Sequence, residues 1–265
     1  MRRSALPILV IACVVVAAVL AWLALQRFFP RGASDDAAPA ATEIRTPGEF
    51  SKVDAAGHLD IVLVQGPKHE VTVEAPPGML GNIRTRVSGR TLSIGIERTP
   101  WRPFQGASAV PRIVVTAPTL EGIAAAGTMR IRADALHVPS LRIAGSGATS
   151  VKIDDLVTDS LRIAGSGAIK AELAGHAREL NLSLSGAGEV RAAELDAEDA
   201  KVSVSGAGHV VVHAEKTLRV SLSGAGVVEY YGNPELKQDV SGMGRIKRRY
   251  GPPSNAPAAK ARYQI

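Results

Sequence analysis

The 265-residue sequence predicts an all-β fold: a parallel β-helix, a solenoid of about 20-residue coils, preceded by an N-terminal transmembrane helix. Three observations predict it. A Gly-x-Gly tripeptide returns at near-constant spacing, apolar and small polar residues alternate ahead of each copy, and an apolar run opens the chain.

The tripeptide occurs as Gly145-Ser146-Gly147, Gly165-Ser166-Gly167, Gly186-Ala187-Gly188, Gly206-Ala207-Gly208, Gly224-Ala225-Gly226 and Gly242-Met243-Gly244. Its first glycines are 20, 21, 20, 18 and 18 residues apart, and a degraded copy, Ala125-Ala126-Gly127, lies upstream. Counted from the first glycine, positions −4 and −2 are Leu141/Ile143, Leu161/Ile163, Leu182/Leu184, Val202/Val204 and Val220/Leu222. Positions −3 and −1 are Arg142/Ala144, Arg162/Ala164, Ser183/Ser185, Ser203/Ser205 and Ser221/Ser223. A period of two is a strand signature. Position +4 (Thr149, Ile169, Val190, Val210, Val228, Ile246) is mostly apolar, so a second strand follows a corner that the two glycines allow.

Coils of this length stack about 4.8 Å apart, and the −4, −2 and +4 residues become inward ladders that no single repeat could bury. The serines Ser183, Ser185, Ser203, Ser205, Ser221 and Ser223 then face water as a flat hydroxyl-bearing surface. Such a face suits a polysaccharide, another envelope polymer or a second copy of the chain. Equally, small hydroxyls serve to keep a solvated strand face from aggregating.

Composition agrees, with 46% hydrophobic but only 4% aromatic residues, as a narrow interior requires. The net charge of +6 matches the six bases Arg245, Lys247, Arg248, Arg249, Lys260 and Arg262, which no acid accompanies. The basic tail is thus a candidate contact for an anionic surface, or a plain solubilising segment. Cys13 is the sole cysteine, so no intrachain disulfide forms.

In chain order, residues 5–25 form an apolar run long enough to span a bilayer, behind Arg2 and Arg3. This places a single-pass anchor in the cytoplasmic membrane with the body outside the cytoplasm; export after signal cleavage is the alternative, and a lipoprotein signal at Cys13 a third. Residues 1–29 are the anchor or signal, 30–46 an Ala- and Pro-rich linker, 47–245 the β-domain and 246–265 a basic disordered tail. Strand patterns run over 59–64, 70–74, 83–87, 91–96 and 112–116, separated by turn residues. The loop 98–111 carries Trp101 and Phe104, either as a binding lip or as rings closing the end of a coil.

The order Phe50-Ser51-Lys52-Val53, Asp60-Ile61-Val62-Leu63-Val64-Gln65-Gly66, Val71-Thr72-Val73-Glu74-Ala75 and Thr91-Leu92-Ser93-Ile94, followed by Ser-Gly-Ala-Gly repeats, resembles the auto-transporter adhesin head GIN domain family of bacterial envelope proteins. The resemblance covers residues 47–245. It implies a right-handed parallel β-helix in the cell envelope, and it brings no catalytic motif.

Several chemistries fail on spacing. A dinucleotide fingerprint needs glycine at +5, where Ser150, Lys170, Arg191, Val211, Glu229 and Lys247 stand. A calcium-binding nonapeptide array needs aspartate at +4. The Gly-x-Ser-x-Gly elbow is absent around the Gly-Ser-Gly copies. Stacking places Glu189 beside His209, a carboxylate–imidazole pair that a polysaccharide lyase or hydrolase could use, and aligns Arg142 with Arg162. The histidines show no ligand spacing, so neither metal nor cofactor is expected. The expected function is a non-enzymatic, adhesin-like envelope module with no nucleic-acid partner; a carbohydrate-active enzyme and an envelope-sensing scaffold are the alternatives.

Overall fold

The computed structural model of the chain describes residues 41–97 and 110–251. Strands β1 (Ala41–Arg45), β2 (Lys52–Gln65) and β3 (Glu70–Ala75) lead to a four-residue helix, α1 (Pro77–Leu80). Then come β4 (Ile83–Ser88), β5 (Thr91–Ile96), β6 (Arg112–Ala117), β7 (Gly122–His137), the 85-residue β8 (Ser140–Gly224), β9 (Val227–Tyr231), β10 (Glu235–Gly242) and β11 (Arg245–Arg248). All eleven strands belong to one sheet.

That sheet is mixed, and this corrects the expected parallel β-helix. Parallel pairings join β2 to β5, β6 and β7, β7 to β8, β8 to β9 and β10, and β9 to β11. The pairings β1–β3, β3–β6 and β4–β5 are antiparallel. The physical reason lies in the open edge. A parallel stack leaves a row of unpaired N–H and C=O groups, and strands folding back antiparallel cover it. Arg45 ties this end together, donating to the carbonyl oxygen of Ile83 at 2.6 Å and to Thr85 Oγ1 at 3.2 Å while it pairs with Glu43. The expected transmembrane helix is not supported by the described residues, among which no helix is long and apolar enough to cross a membrane. The run 5–25 lies outside the described residues.

Alternation does set the faces. Leu141, Ile143, Leu161, Ile163, Leu182, Leu184, Val202, Val204, Val220 and Leu222 are all buried, and 51 apolar residues among those described join in one core cluster. The register between repeats, however, differs from the one the tripeptide suggests. At each corner one glycine takes a positive φ: Gly57, Gly127, Gly147, Gly167, Gly186, Gly206, Gly224 and Gly242. These glycines stack. A Cβ on Gly206 would lie 2.5 Å from the carbonyl oxygen of Gly186, and Gly147 meets Gly127 in the same way. In the first two copies the stacked residue is the second glycine of the tripeptide, and in the last four it is the first.

The other glycine of each tripeptide fills a steric vacancy, on opposite sides of the corner in the two groups. Counted from the stacked glycine, Gly145 and Gly165 stand at −2, facing Thr149 and Ile169 at +2. A Cβ on Gly165 would lie 2.5 Å from Ile169 Cγ1. In the later repeats Leu184, Val204 and Leu222 occupy −2, and Gly188, Gly208 and Gly226 stand opposite; a Cβ on Gly226 would come within 2.9 Å of Leu222 Cδ1. At these five corners one flank carries a side chain larger than a hydrogen and the other a glycine, whereas the corners at Gly57 and Gly127 hold a small alanine opposite Leu59 and Met129.

Candidate functional site

Once the corner glycines are aligned, the strand leading into them presents three outward columns. Position −1 holds Ser146, Ser166, Ser185, Ser205, Ser223 and Ser241, of which Ser223 and Ser241 are paired residues of β8 and β10. Position −3 holds Ala124, Ala144, Ala164, Ser183, Ser203 and Ser221, between Asp54 at one end and Asp239 at the other. All six serines predicted as a binding face are surface residues, Ser203 half-buried and the others exposed. A shallow open groove of ≈ 380 Å³ crosses the upper part, lined by Ala124, Ala144, Ser146, Ala164, Ser166 and Ser183. Side chains this small lose almost no rotamer freedom on contact, and the hydroxyls both donate and accept.

Position −5 holds Lys52, Gly122, Arg142, Arg162, Asn181, Lys201, Arg219 and Lys237. All six of these cations are exposed. Among the described residues only Lys237 has an acid within salt-bridge distance, Glu235 at 3.1 Å. Cations on the strand after the corner behave differently. Lys152 pairs with Asp154, Lys170 with Glu172, Arg191 with Glu189, and Arg130 and Arg132 with Asp60. Gly122 leaves room for a neighbour: a Cβ there would lie 3.5 Å from Lys52 Cγ, so the lysine stem lies against the glycine, whose partner on the next repeat is Arg142.

Glu189 and His209 stand on adjacent repeats as the sequence suggests, but their side chains go to other partners. Glu189 binds Arg191 at 2.6 Å, and His209 Nε2 meets Glu229 Oε2 at 3.1 Å. Arg249 reaches the same Glu229 oxygen at 2.6 Å. Burial would raise the Glu229 carboxyl, but the hydrogen bonds from His209 and Arg249 outweigh it and hold the group below the ordinary carboxylate value. The arrangement is an ion-paired anchor for the end of the sheet: β11 lies on β9, and the Arg249 N–H donates to the carbonyl oxygen of Tyr230 at 2.8 Å. Among the described residues no group of three or more His, Cys, Asp or Glu side chains is placed to hold a metal ion.

Of the other predicted positions, Trp101 and Phe104 lie outside the described residues, as do tail residues 252–265. Among the predicted corners, Gly147, Gly167, Gly186, Gly206, Gly224 and Gly242 take positive φ; Gly145, Gly165, Gly188, Gly208, Gly226 and Gly244 do not. Sequence reasoning missed the left-handed Gly175 and Gly232, which lie outside the tripeptides. It also missed the cation column, whose trace was the aligned pair Arg142 and Arg162.

Comparison with known proteins places this geometry in context. The family model described as "Putative auto-transporter adhesin, head GIN domain" matches residues 49–234. Among solved structures, a putative adhesin from Bacteroides fragilis superposes with a TM-score of 0.74 at 26% identity, covering 79% of this chain and 97% of that one. A putative adhesin from Parabacteroides merdae gives a TM-score of 0.64 at 19% identity, over 81% and 98% of the two chains. A protein from Parabacteroides distasonis described as a putative lipid binding protein gives 0.58 at 18% identity, over 81% and 98%. The last two likenesses bear on the fold alone. No curated protein matches the sequence.

Proposed function

The chain belongs to the auto-transporter adhesin head GIN domain family, and on that premise we propose that residues 47–245 form a non-enzymatic, envelope-exposed binding module. Its recognition surface is the flat face of serines and alanines at −1 and −3. The observation that carries this reading is continuity. Hydroxyls recur on six consecutive repeats at −1, about 4.8 Å apart, with only methyl or hydroxymethyl groups beside them at −3 over the same repeats except the last, where Asp239 stands. A repeating ligand meets the same contact on each repeat, and small contacts sum along its length. The adhesin-type relatives support a role outside the cytoplasm. The dispersal of Glu189 and His209 to separate partners favours binding over the enzyme alternative.

The test is to roughen the face without charging it. Ser185→Gln, Ser205→Gln and Ser223→Gln together should leave the thermal midpoint within a few degrees, since all three side chains are exposed. The same change should abolish retention of the full-length chain on immobilised envelope polysaccharide. Undiminished retention by a folded triple variant removes this face as the recognition surface.

A further inference from the structure

Resting on the binding-module reading, we propose that the cation column Lys52, Arg142, Arg162, Lys201, Arg219 and Lys237 makes the ligand a linear acidic polysaccharide, lying lengthwise along the face. Five of these side chains are exposed with no acid in salt-bridge distance among the described residues, whereas Arg130, Arg132, Lys152, Lys170 and Arg191, on the strand after the corner, are each paired with a neighbouring carboxylate. Solvent-exposed cations held in line at one end of each repeat give a potential with the shape of a rod. Eight repeats spaced about 4.8 Å apart extend the column over about 34 Å. That spacing is comparable to the length of one sugar in a chain, so a polymer with a carboxylate or sulfate on each unit presents anions in step with the cations.

The surroundings of the column narrow the choice of polyanion. The adjacent −3 and −1 columns give hydroxyls and methyl groups, which suit sugar hydroxyls and the apolar faces of sugar rings. Single-stranded nucleic acid is bound by aromatic platforms on which bases stack, and none of the three columns carries an aromatic side chain. The acids of the next column out lie toward one end. At −7, Ser140 and Ser160 flank the arginines, while Glu179, Asp199 and Glu235 flank the later repeats, where Thr217 Oγ1 donates to Asp199 at 2.6 Å. The groove over the upper half contains Lys52, Arg142, Arg162, Ser140 and Ser160 with two acids, Asp54 beside Lys52 and Glu121, the latter engaged by Arg90 at 3.1 Å. Binding is therefore strongest around Arg142 and Arg162.

The experiment uses the full-length chain and polygalacturonate as probe, with dextran as the neutral polymer, a single-stranded oligonucleotide and anionic phospholipid vesicles beside it. Arg142→Gln, Arg162→Gln and Arg219→Gln together should weaken polygalacturonate binding about tenfold and flatten its salt dependence, because each exposed charge contact contributes modestly. A matched triple, Lys152→Gln, Lys170→Gln and Arg191→Gln, removes the same charge from the strand after the corner and should bind as the parent does. The inference is overturned by unchanged binding in the first triple, by equal loss in the second, by dextran binding as well as polygalacturonate, or by tighter binding to oligonucleotide or vesicles. If the glutamine-for-serine variant loses polymer while the arginine variant keeps it, this inference falls and the binding-face reading stands. Retention by both variants removes both.

Discussion

A Cβ on Gly186 would stand 2.7 Å from the carbonyl oxygen of Gly167. The two glycines are thus stacked backbone on backbone, although Gly167 closes one Gly-x-Gly copy and Gly186 opens the next. Gly186 has φ +117°, and Gly188 in the same tripeptide is not left-handed and faces only the flexible end of Leu184 at 3.2 Å and the carbonyl oxygen of Ile169 at 3.5 Å. Gly186→Ala should therefore destabilise by about 1–3 kcal/mol from backbone strain alone, and Gly188→Ala by clearly less. Denaturant midpoints check the order; equal costs would mean that stacking does not distinguish the two positions.

The exclusion of two side chains across a corner predicts a rescue. Gly188→Ile alone should cost about 1–3 kcal/mol by overpacking against Leu184, and Leu184→Gly alone about 2–5 kcal/mol or more from the cavity and the added backbone freedom. Combined, they recreate the arrangement of Gly165 and Ile169, so the pair should cost less than the sum by about 0.5–3 kcal/mol. A double-mutant cycle measures the difference, and simple additivity would contradict shared occupancy.

Thr149 Oγ1 is buried and, among the described residues, has no hydrogen-bond partner. Thr149→Val keeps the branched shape and removes a hydroxyl whose burial without a partner costs about 1–3 kcal/mol. The variant should unfold at a higher temperature than the parent. A lower midpoint would show that the hydroxyl is satisfied in solution.

Glu229 predicts an acid-sensitive end of the sheet. Its folded-state carboxyl lies below the ordinary value, burial being outweighed by the hydrogen bonds from His209 and Arg249. The stability it contributes is complete above the unfolded value of about 4.3 and is lost as pH falls through the lower folded value. In Glu229→Gln the dependence of stability on pH should be shallower in that acid window. Hydrogen exchange along Arg245–Arg248 as pH is lowered reports the same loss locally.

Much of the fold was legible because a period of two fixes which side chains face in: the strands 70–75, 91–96 and 112–117 and the buried ladders of the repeats stand where alternation puts them. The antiparallel strands were not legible, since β1 and β3 are local patterns whose direction is decided by which distant edge needs covering. The register between repeats was misread because Gly-x-Gly looks like one unit when only one of its glycines is tied to a left-handed backbone. The 21-residue interval between Gly145-type and Gly186-type copies marked the slip. Misregister by two residues also hid the cation column, for it aligned Arg142 and Arg162 with Ser183 and Ser203 rather than with Lys201 and Arg219.

The choice of flank at each corner bears on how such a chain gains and loses length. Unequal recombination between repeats cuts and rejoins coding sequence wherever two copies are alike, and Gly-x-Gly is the stretch most alike in all of them. A crossover that pairs two tripeptides whole joins Leu184-Ser185-Gly186 to Ser166-Gly167-Ala168-Ile169, with two glycines between the large side chains; whichever glycine takes the stacked place, one side chain remains at the corner. A crossover that pairs Gly167 with Gly186 instead leaves Leu184 and Ile169 on either side of a single glycine and puts two side chains in one corner. Inherited changes in repeat number are therefore expected to keep the tripeptide whole, and the boundary between the two kinds of corner is free to move along the chain.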